Sequence, residues 1–470
     1  MNGQLTLMAM LPEHMLLLGI IVLLTVDILG TWSKQALVLA VAAVAASAGA
    51  AFWLYCTGFS GAPFAGQFSV TPSALLAKAL VVAMAIPVLL ISRDDFEGGE
   101  FPALLLSSLY GVCLLISADS YLIMFLGLEL MSIPVYVLIL LAFRRPESAE
   151  AALKYLVLGG AATAMFLMGV SLLYAVTGSM DISTFGAALS AVNGLGESSA
   201  LMTRAAVVLM LLAFFLKAAV VPFHGWSPDA YETASIPVTT YMATIIKGGV
   251  LLAVVRLFAD APVSSPIVEL LAIFPLISIV WGNLTAMKQP SFRRMMAYSS
   301  IAHAGYLFYA MLGDGAGRFQ AVVFYVVAYG VLNVLAFAAL PAHADDTKRD
   351  QLDTIKGLYH RKPFAALMIG MAMLSLAGLP PFPGFVAKFL IFSNVLAAGY
   401  TTYAVIGLVG SYLGIYFYLR VIQLMFMSPE SEGVAETPAR GNSLAFGGTV
   451  LCLVATVALM IAPGWLIGQL

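Results

Sequence analysis

Five lysines stand inside long apolar runs of this chain: Lys78, Lys154, Lys217, Lys247 and Lys388. With them are a carboxylate, Glu129, in FLGLELMSIPVYV, and a histidine, His303, in RRMMAYSSIAHAGYLFYA. An ionisable side chain in hydrocarbon costs roughly 3 kcal/mol or more and turns toward protein or water rather than lipid. One such residue can be a packing accident or a snorkelling lysine. Five lysines and a glutamate together point to proton exchange. A lysine taken out of water gives up its proton more easily, and a carboxylate beside it restores the charged form. Histidine, with an ordinary pKa of about 6.5, suits a relay between lysines.

Each residue has a place and a competing reading. Glu129 falls near the middle of its run. Lys154, in AALKYLVLGG, and Lys217, in AFFLKAAVVPFHGW, are its candidate partners. A static ion pair between helices is the alternative. Lys217 precedes a break, because Pro222 cannot donate to a helix ladder and the PFHGWSPDAYETASIP that follows is too polar for a continuous span. His224 lies in that break and is a second relay candidate. Irregular backbone at membrane depth is tolerated where it lines a cavity. Lys247, in YMATIIKGGVLL, is flanked by small residues that leave room for water. Lys388 follows another break, in SLAGLPPFPGFVAKFL. Lys78 is close enough to the start of its run to snorkel. Glu13 and Asp27 near run ends are expected to be solvated, and Arg256 to be interfacial.

The elements that position these residues are membrane spans. Of the 470 residues, 61% are hydrophobic and 10% charged, against about 25% charged in soluble domains. Apolar runs of about 20 residues are long enough to cross a bilayer as helices. The predicted spans lie near 12–30, 36–56, 73–92, 101–118, 119–142, 149–176, 201–222, 236–259, 263–285, 294–312, 318–340, 362–398, 401–427 and 443–469. The fold class is thus all-α, a polytopic membrane protein of about fourteen transmembrane helices. Asp119 and Ser120 divide the fourth span from the fifth.

Charge supports this count. Loops after odd-numbered spans hold fourteen Lys and Arg, and loops after even-numbered spans hold three, Arg204, Arg256 and Arg318. The positive-inside rule then puts the odd loops in the cytoplasm and both termini on the other, periplasmic side. The absence of Lys and Arg from residues 1–12 argues against a cleaved signal peptide. Spans seven and twelve share one design, an apolar helix with a proline break and a buried lysine, and stand five spans apart. Two five-helix repeats of inverted orientation are expected. Residues 1–470 form a single membrane domain, made of peripheral spans at 1–100, a first repeat at 101–260, a second at 261–428 and a last span at 429–470.

The net charge of −2 offers no footprint for nucleic acid. Cys56, Cys113 and Cys452 are far apart and read as buried, inert thiols rather than metal or cluster ligands. The sequence has no dinucleotide or phosphate-loop motif, and GDGAG at 313–317 lacks the strand and helix that such a motif needs.

The stretches LGLELMSIPVYVL, SAEAALKYLVLGG, KAAVVPFHGWSPDAYETASIPVTTYMATIIKGG, SFRRMMAYSSIAHAGYLFYA and SLAGLPPFPGFVAKF resemble the antiporter-like membrane subunits of proton-pumping NADH:quinone oxidoreductase, respiratory complex I. They cover residues from about 100 to 398. The N-type branch is the nearer, since lysine rather than glutamate at 388 speaks against the M-type. The resemblance implies fourteen helices with two inverted repeats. It makes Glu129 the span-five glutamate that pairs with a lysine, Lys217 the lysine of the first broken helix, Lys247 the central span-eight lysine and Lys388 the span-twelve lysine. It further implies a bacterial inner-membrane subunit of a translocase, surrounded by other membrane subunits and lipid rather than by copies of itself. NADH, FMN, Fe–S clusters and quinone would belong to partner subunits, with no redox centre or cofactor in this chain. A cation/proton antiporter or membrane-bound hydrogenase subunit is the alternative within the same fold. The PDAYETASIP stretch departs from the more usual proline-containing version.

Overall fold

A computed structural model describes residues 3–30, 35–96, 98–141, 146–259, 261, 265–313, 315–340, 351–428 and 443–470. Of the residues read above, Lys34, Arg144, Arg145, Lys348, Arg349, Arg440 and Asp314 lie outside these.

The chain opens with α1 (Gly3–Ala9), α2 (Leu11–Leu29) and α3 (Ala36–Cys56), followed by a small hairpin of β1 (Gly61–Phe64) and β2 (Phe68–Val70). Then come α4 (Pro72–Ala83), α5 (Ala85–Ile91), α6 (Glu100–Ile116), α7 (Tyr121–Leu140) and α8 (Pro146–Thr177). A short α9 (Ser183–Ala191) leads to α10 (Glu197–Ala218), which breaks before α11 (Trp226–Thr233). Next are α12 (Ile236–Tyr241), a π turn over Met242–Ile246, and α13 (Lys247–Leu257). The second half runs through α14 (Ser265–Ala286), α15 (Phe292–Tyr309) and α16 (Gly315–Ala338). After α17 (Leu358–Arg361) comes a broken pair, α18 (Pro363–Ala377) and α19 (Pro383–Ala397). The chain ends with α20 (Thr401–Phe426), α21 (Ser443–Ile461) and α22 (Pro463–Gln469).

Among the described residues, eleven helices are long and apolar enough to cross a membrane. Glu100–Ile116, Pro363–Ala377 and Pro383–Ala397 are shorter apolar helices. The predicted division at Asp119–Ser120 is present. Ser120 has extended backbone and its hydroxyl accepts the N–H of Ile123 at 3.1 Å, capping α7. The Asp119 N–H donates to the Gln67 carbonyl at 2.9 Å, which ties this junction to the hairpin.

Burial separates centre from rim. Ile236–Leu257 is buried by protein along its whole apolar window and Gly317–Ala338 over 94% of it, whereas Leu11–Leu29 and Leu444–Ile461 are buried over only 22%. The helix that carries Lys247 is therefore enclosed by its neighbours in the bundle. Helices α6 and α7 approach closely because Gly111 has no side chain; a Cβ there would lie 2.3 Å from the Met131 nitrogen. Cys113 and Cys452 are buried as expected, but Cys56 is exposed, because it falls in the last turn of α3 on the bundle's surface.

Candidate functional site: a buried polar line

The first cluster is built on α7, α8 and α10. Pro134 inside α7 removes a ladder donor one turn beyond Glu129. The Lys217 amine lies 3.4 Å from Glu129 Oε1 and donates to Ser132 Oγ at 3.1 Å. Thr163 donates its hydroxyl to the same carboxylate oxygen. The Lys217 side chain is 2% exposed and that of Glu129 is 24% exposed, so the pair lies inside the bundle with the carboxylate toward its flank.

Lys217 is in the last turn of α10, and the break follows at once. Ala219 has φ 62°, ψ 42°, a left-handed conformation that costs a non-glycine residue about 1 kcal/mol. It lets the Val220 N–H close back on the Phe215 carbonyl at 2.8 Å. The Leu216 carbonyl accepts both the Ala219 N–H at 3.2 Å and the Trp226 indole N–H at 2.9 Å, and the Val221 N–H donates to Ser278 Oγ at 2.8 Å. A break in a buried helix needs such partners.

The second cluster joins α13 to α15. The Lys247 amine donates to the Ser300 carbonyl at 2.7 Å and also to the Ser300 hydroxyl. Tyr231 OH lies 3.3 Å from that hydroxyl. The neighbouring Ser299 hydroxyl is 2.5 Å from Tyr418 OH. Tyr418 OH lies 3.0 Å from His303 Nε2, and Tyr325 OH lies 2.7 Å from His303 Nδ1. Both ring nitrogens of His303 thus have a hydroxyl partner that can donate or accept, which is what a relay through either tautomer needs.

The third cluster surrounds Lys388, whose amine donates to the Ala377 carbonyl at 3.1 Å and sits 5.1 Å from the centre of the Tyr306 ring. The Tyr306 and His303 rings are 5.4 Å apart, edge to face, and Asn283 donates to Tyr306 OH at 3.1 Å. The break before Lys388 repeats the closure of the first. Gly378 has φ 84°, and the Leu379 N–H returns to the Leu374 carbonyl at 3.3 Å. A side chain at Gly378 would meet the Lys388 stem at 2.9 Å, so glycine there answers both the backbone and the lysine.

Five predicted residues, Glu129, Lys217, Lys247, His303 and Lys388, fall in these three clusters. Lys154 does not partner Glu129. It is in the third turn of α8 with its side chain 44% exposed, bonded to Glu150 at 2.7 Å and Asp229 at 2.8 Å, because the helix turns its position outward. His224 is in the break, its ring 6.5 Å from that of Trp281, and it joins none of the three clusters. Lys78 does not snorkel and Glu13 is not solvated. The two form an ion pair with both side chains fully buried, because α2 and α4 both pack on α3 and α6.

Sequence reasoning missed the neutral members: Ser132, Thr163, Ser299, Ser300, Tyr306, Tyr325 and Tyr418. A signal existed. Tyr325, Tyr329 and Asn333 recur every fourth residue, which aligns them on one face of α16, and Ser299, Ser300 and His303 share a face of α15.

This fold and this line define an antiporter-like membrane protein, and known proteins agree. The family described as "NADH:quinone oxidoreductase/Mrp antiporter, TM" matches residues 118–414. NADH-quinone oxidoreductase subunit N of Pelobacter propionicus is 36% identical over 459 residues, 97% of either chain. That of Desulfitobacterium hafniense is 35% identical over 420 residues, 85% of this chain and 82% of the relative. Among solved structures, a chain of respiratory complex I from Thermus thermophilus superimposes with a TM-score of 0.82 at 32% identity, covering 97% of this chain and 98% of that one. A chain of the Mrp complex from Dietzia sp. reaches 0.82 at 21% identity over 98% and 96%, and so shares the fold. The chain belongs to the NADH:quinone oxidoreductase/Mrp antiporter family, in its subunit N branch.

Proposed function

We propose that this chain moves protons across a bacterial inner membrane as a subunit of NADH:quinone oxidoreductase, along Glu129, Lys217, Lys247, His303 and Lys388. The observation that carries the reading is that three lysines are buried inside the bundle, Lys217 against Glu129 and Ser132, Lys247 against Ser300, and Lys388 beside the Tyr306 ring next to His303.

In this reading Lys217 holds its proton while it faces Glu129. Separating that pair leaves the ammonium uncompensated in a medium of low dielectric. The proton then leaves toward Lys247; Gly248 and Gly249, read from the sequence as leaving room for water, are instead packed against Val326, Met131 and Val112. From Lys247 it passes by the Ser300 and Ser299 hydroxyls to Tyr418 and His303, and past Tyr306 to Lys388. Two like charges close together in such a medium repel strongly, so each arrival favours the next departure. Glu129, a quarter exposed on the bundle's flank, is the end open to a neighbouring membrane subunit. The energy comes from quinone reduction in partner subunits, which hold the NADH, FMN, Fe–S and quinone sites. Both termini face the periplasm, and the two broken helices belong to inverted five-helix repeats. The whole-length likeness to subunit N favours this assembly over an antiporter or hydrogenase complex.

The test is Lys247→Ala in the assembled complex. NADH-driven proton uptake into inverted vesicles is expected to fall at least about tenfold, the effect of removing roughly 1.4 kcal/mol of favourable interaction along the route. Unchanged pumping at unchanged turnover would remove Lys247 from the route.

A further inference from the structure

Two cavities stack along the seam between α4 and α16, away from the lysine line. The first, about 440 Å³, lies at the end of the bundle where both helices begin, and Thr71, Ser73, Arg256 and Arg318 form its polar wall. The second, about 300 Å³, starts one turn further along α4, at Leu80, and two turns further along α16, at Val327. Its lining is apolar, from Met84 and Val331 to Ala458 and Trp465. Helices α21 and α22 close it on the outside, and Leu470, the residue after α22, reaches the first cavity.

The polar end is organised before anything binds. Arg256 is held by the Asp119 carboxylate, the Ala118 carbonyl and Ser69, and Arg318 by the carbonyls of Gly313 and Phe258. Thr71 caps α4, accepting the Ala74 N–H at 3.3 Å, and Ser73 stands in the helix's first turn. Guanidinium groups and a helix N-terminus both favour a phosphate. Below them the slot is at hydrocarbon depth, alongside spans that cross the membrane, and offers contact to a chain of methylenes. A free anion would use only the upper cavity, and a neutral hydrocarbon only the lower one.

We infer that this seam binds an anionic phospholipid, its phosphate among Arg256, Arg318 and Ser73 and one acyl chain in the slot beneath. Leu252 and Val255 of the upper cavity are on the helix that begins with Lys247, and Val327 and Val331 are on the helix of Tyr325 and Tyr329. The lipid packs its headgroup against the end of the first helix and its acyl chain along the second. This inference stands independently of the proton reading.

The test uses the whole complex in phosphatidylcholine vesicles containing a trace of phosphatidylglycerol with a photoreactive diazirine in mid-chain. After irradiation, adducts are mapped by mass spectrometry. They are expected on 80–87, 327–334 and 451–466, and unlabelled phosphatidylglycerol should compete them away. Ser73→Asp sets a negative charge at the phosphate position and should lower the adduct about fivefold. The same acid favours the first turn of α4, and unaltered NADH:quinone turnover reports intact assembly. Ala458→Phe fills the slot and should abolish the adduct; if that variant fails to assemble, Ser73→Asp decides. Equal labelling by a phosphatidylcholine probe, no effect of Ser73→Asp, or no adduct on these segments would overturn the assignment.

Discussion

The two helix breaks solve the same backbone problem with opposite consequences for their lysines. Each break leaves a carbonyl at the end of its first half-helix, the negative end of a helix dipole. At the α10 break the Leu216 carbonyl accepts the Ala219 N–H and the Trp226 indole N–H. Lys217 reaches Glu129, a full negative charge. At the α18 break the Ala377 carbonyl is taken by Lys388 itself, with the Tyr306 ring on another side. One ammonium faces a carboxylate and the other faces partial charges. The comparison teaches that the same backbone closure can set a buried lysine against a carboxylate or against a carbonyl and an aromatic face.

The comparison can be broken most severely at its glycines. A Cβ at Gly384 would lie 1.9 Å from the Ser375 carbonyl oxygen, whereas Gly225, in the other break, has nothing within 4 Å. Gly384→Ala should cost about 3 kcal/mol or more and deplete the assembled complex on a native gel. Gly225→Ala should assemble like the parent. Next in size are the counter-charges. Glu129→Gln leaves Lys217 without its carboxylate and should lower NADH-driven pumping about tenfold. Tyr306→Leu, which removes the ring beside Lys388 and the hydroxyl bonded to Asn283, should lower it about fivefold, and Tyr306→Phe, which keeps the ring, should restore it. Equal losses in Glu129→Gln and Tyr306→Leu would erase the distinction between the two lysines. The smallest effect is expected of Lys154→Ala, an exposed pair off the line, with pumping changed less than about twofold.

The membrane helices, the two breaks and the burial of Lys217, Lys247, His303 and Lys388 were legible because membrane physics makes them conspicuous. Apolar length identifies a helix, proline interrupts it, and an ionisable residue in hydrocarbon demands a reason. Lys154, Lys78 and Glu13 were misread because distance from a span's end does not say which way a helix faces. Lys154 lies deep enough in sequence but points outward, while Glu13 lies in a first turn that packs inward. The hydroxyls were overlooked because Ser and Tyr are tolerated in apolar helices without a function. Only the meeting of α15, α16 and α20 around His303 gives Ser299, Tyr325 and Tyr418 their meaning.

Helix α15 carries two arginines in its first turn, two serines and His303, and is absent from the helices apolar enough to cross a membrane unaided. During synthesis such a segment gains little by leaving the insertion machinery for lipid alone. It must be handed over together with α14, against which it packs along its length. The stretch best suited to passing protons is thus the one whose biogenesis depends most on its neighbours, and lesions in α14 should surface as failed insertion of α15 rather than as altered chemistry.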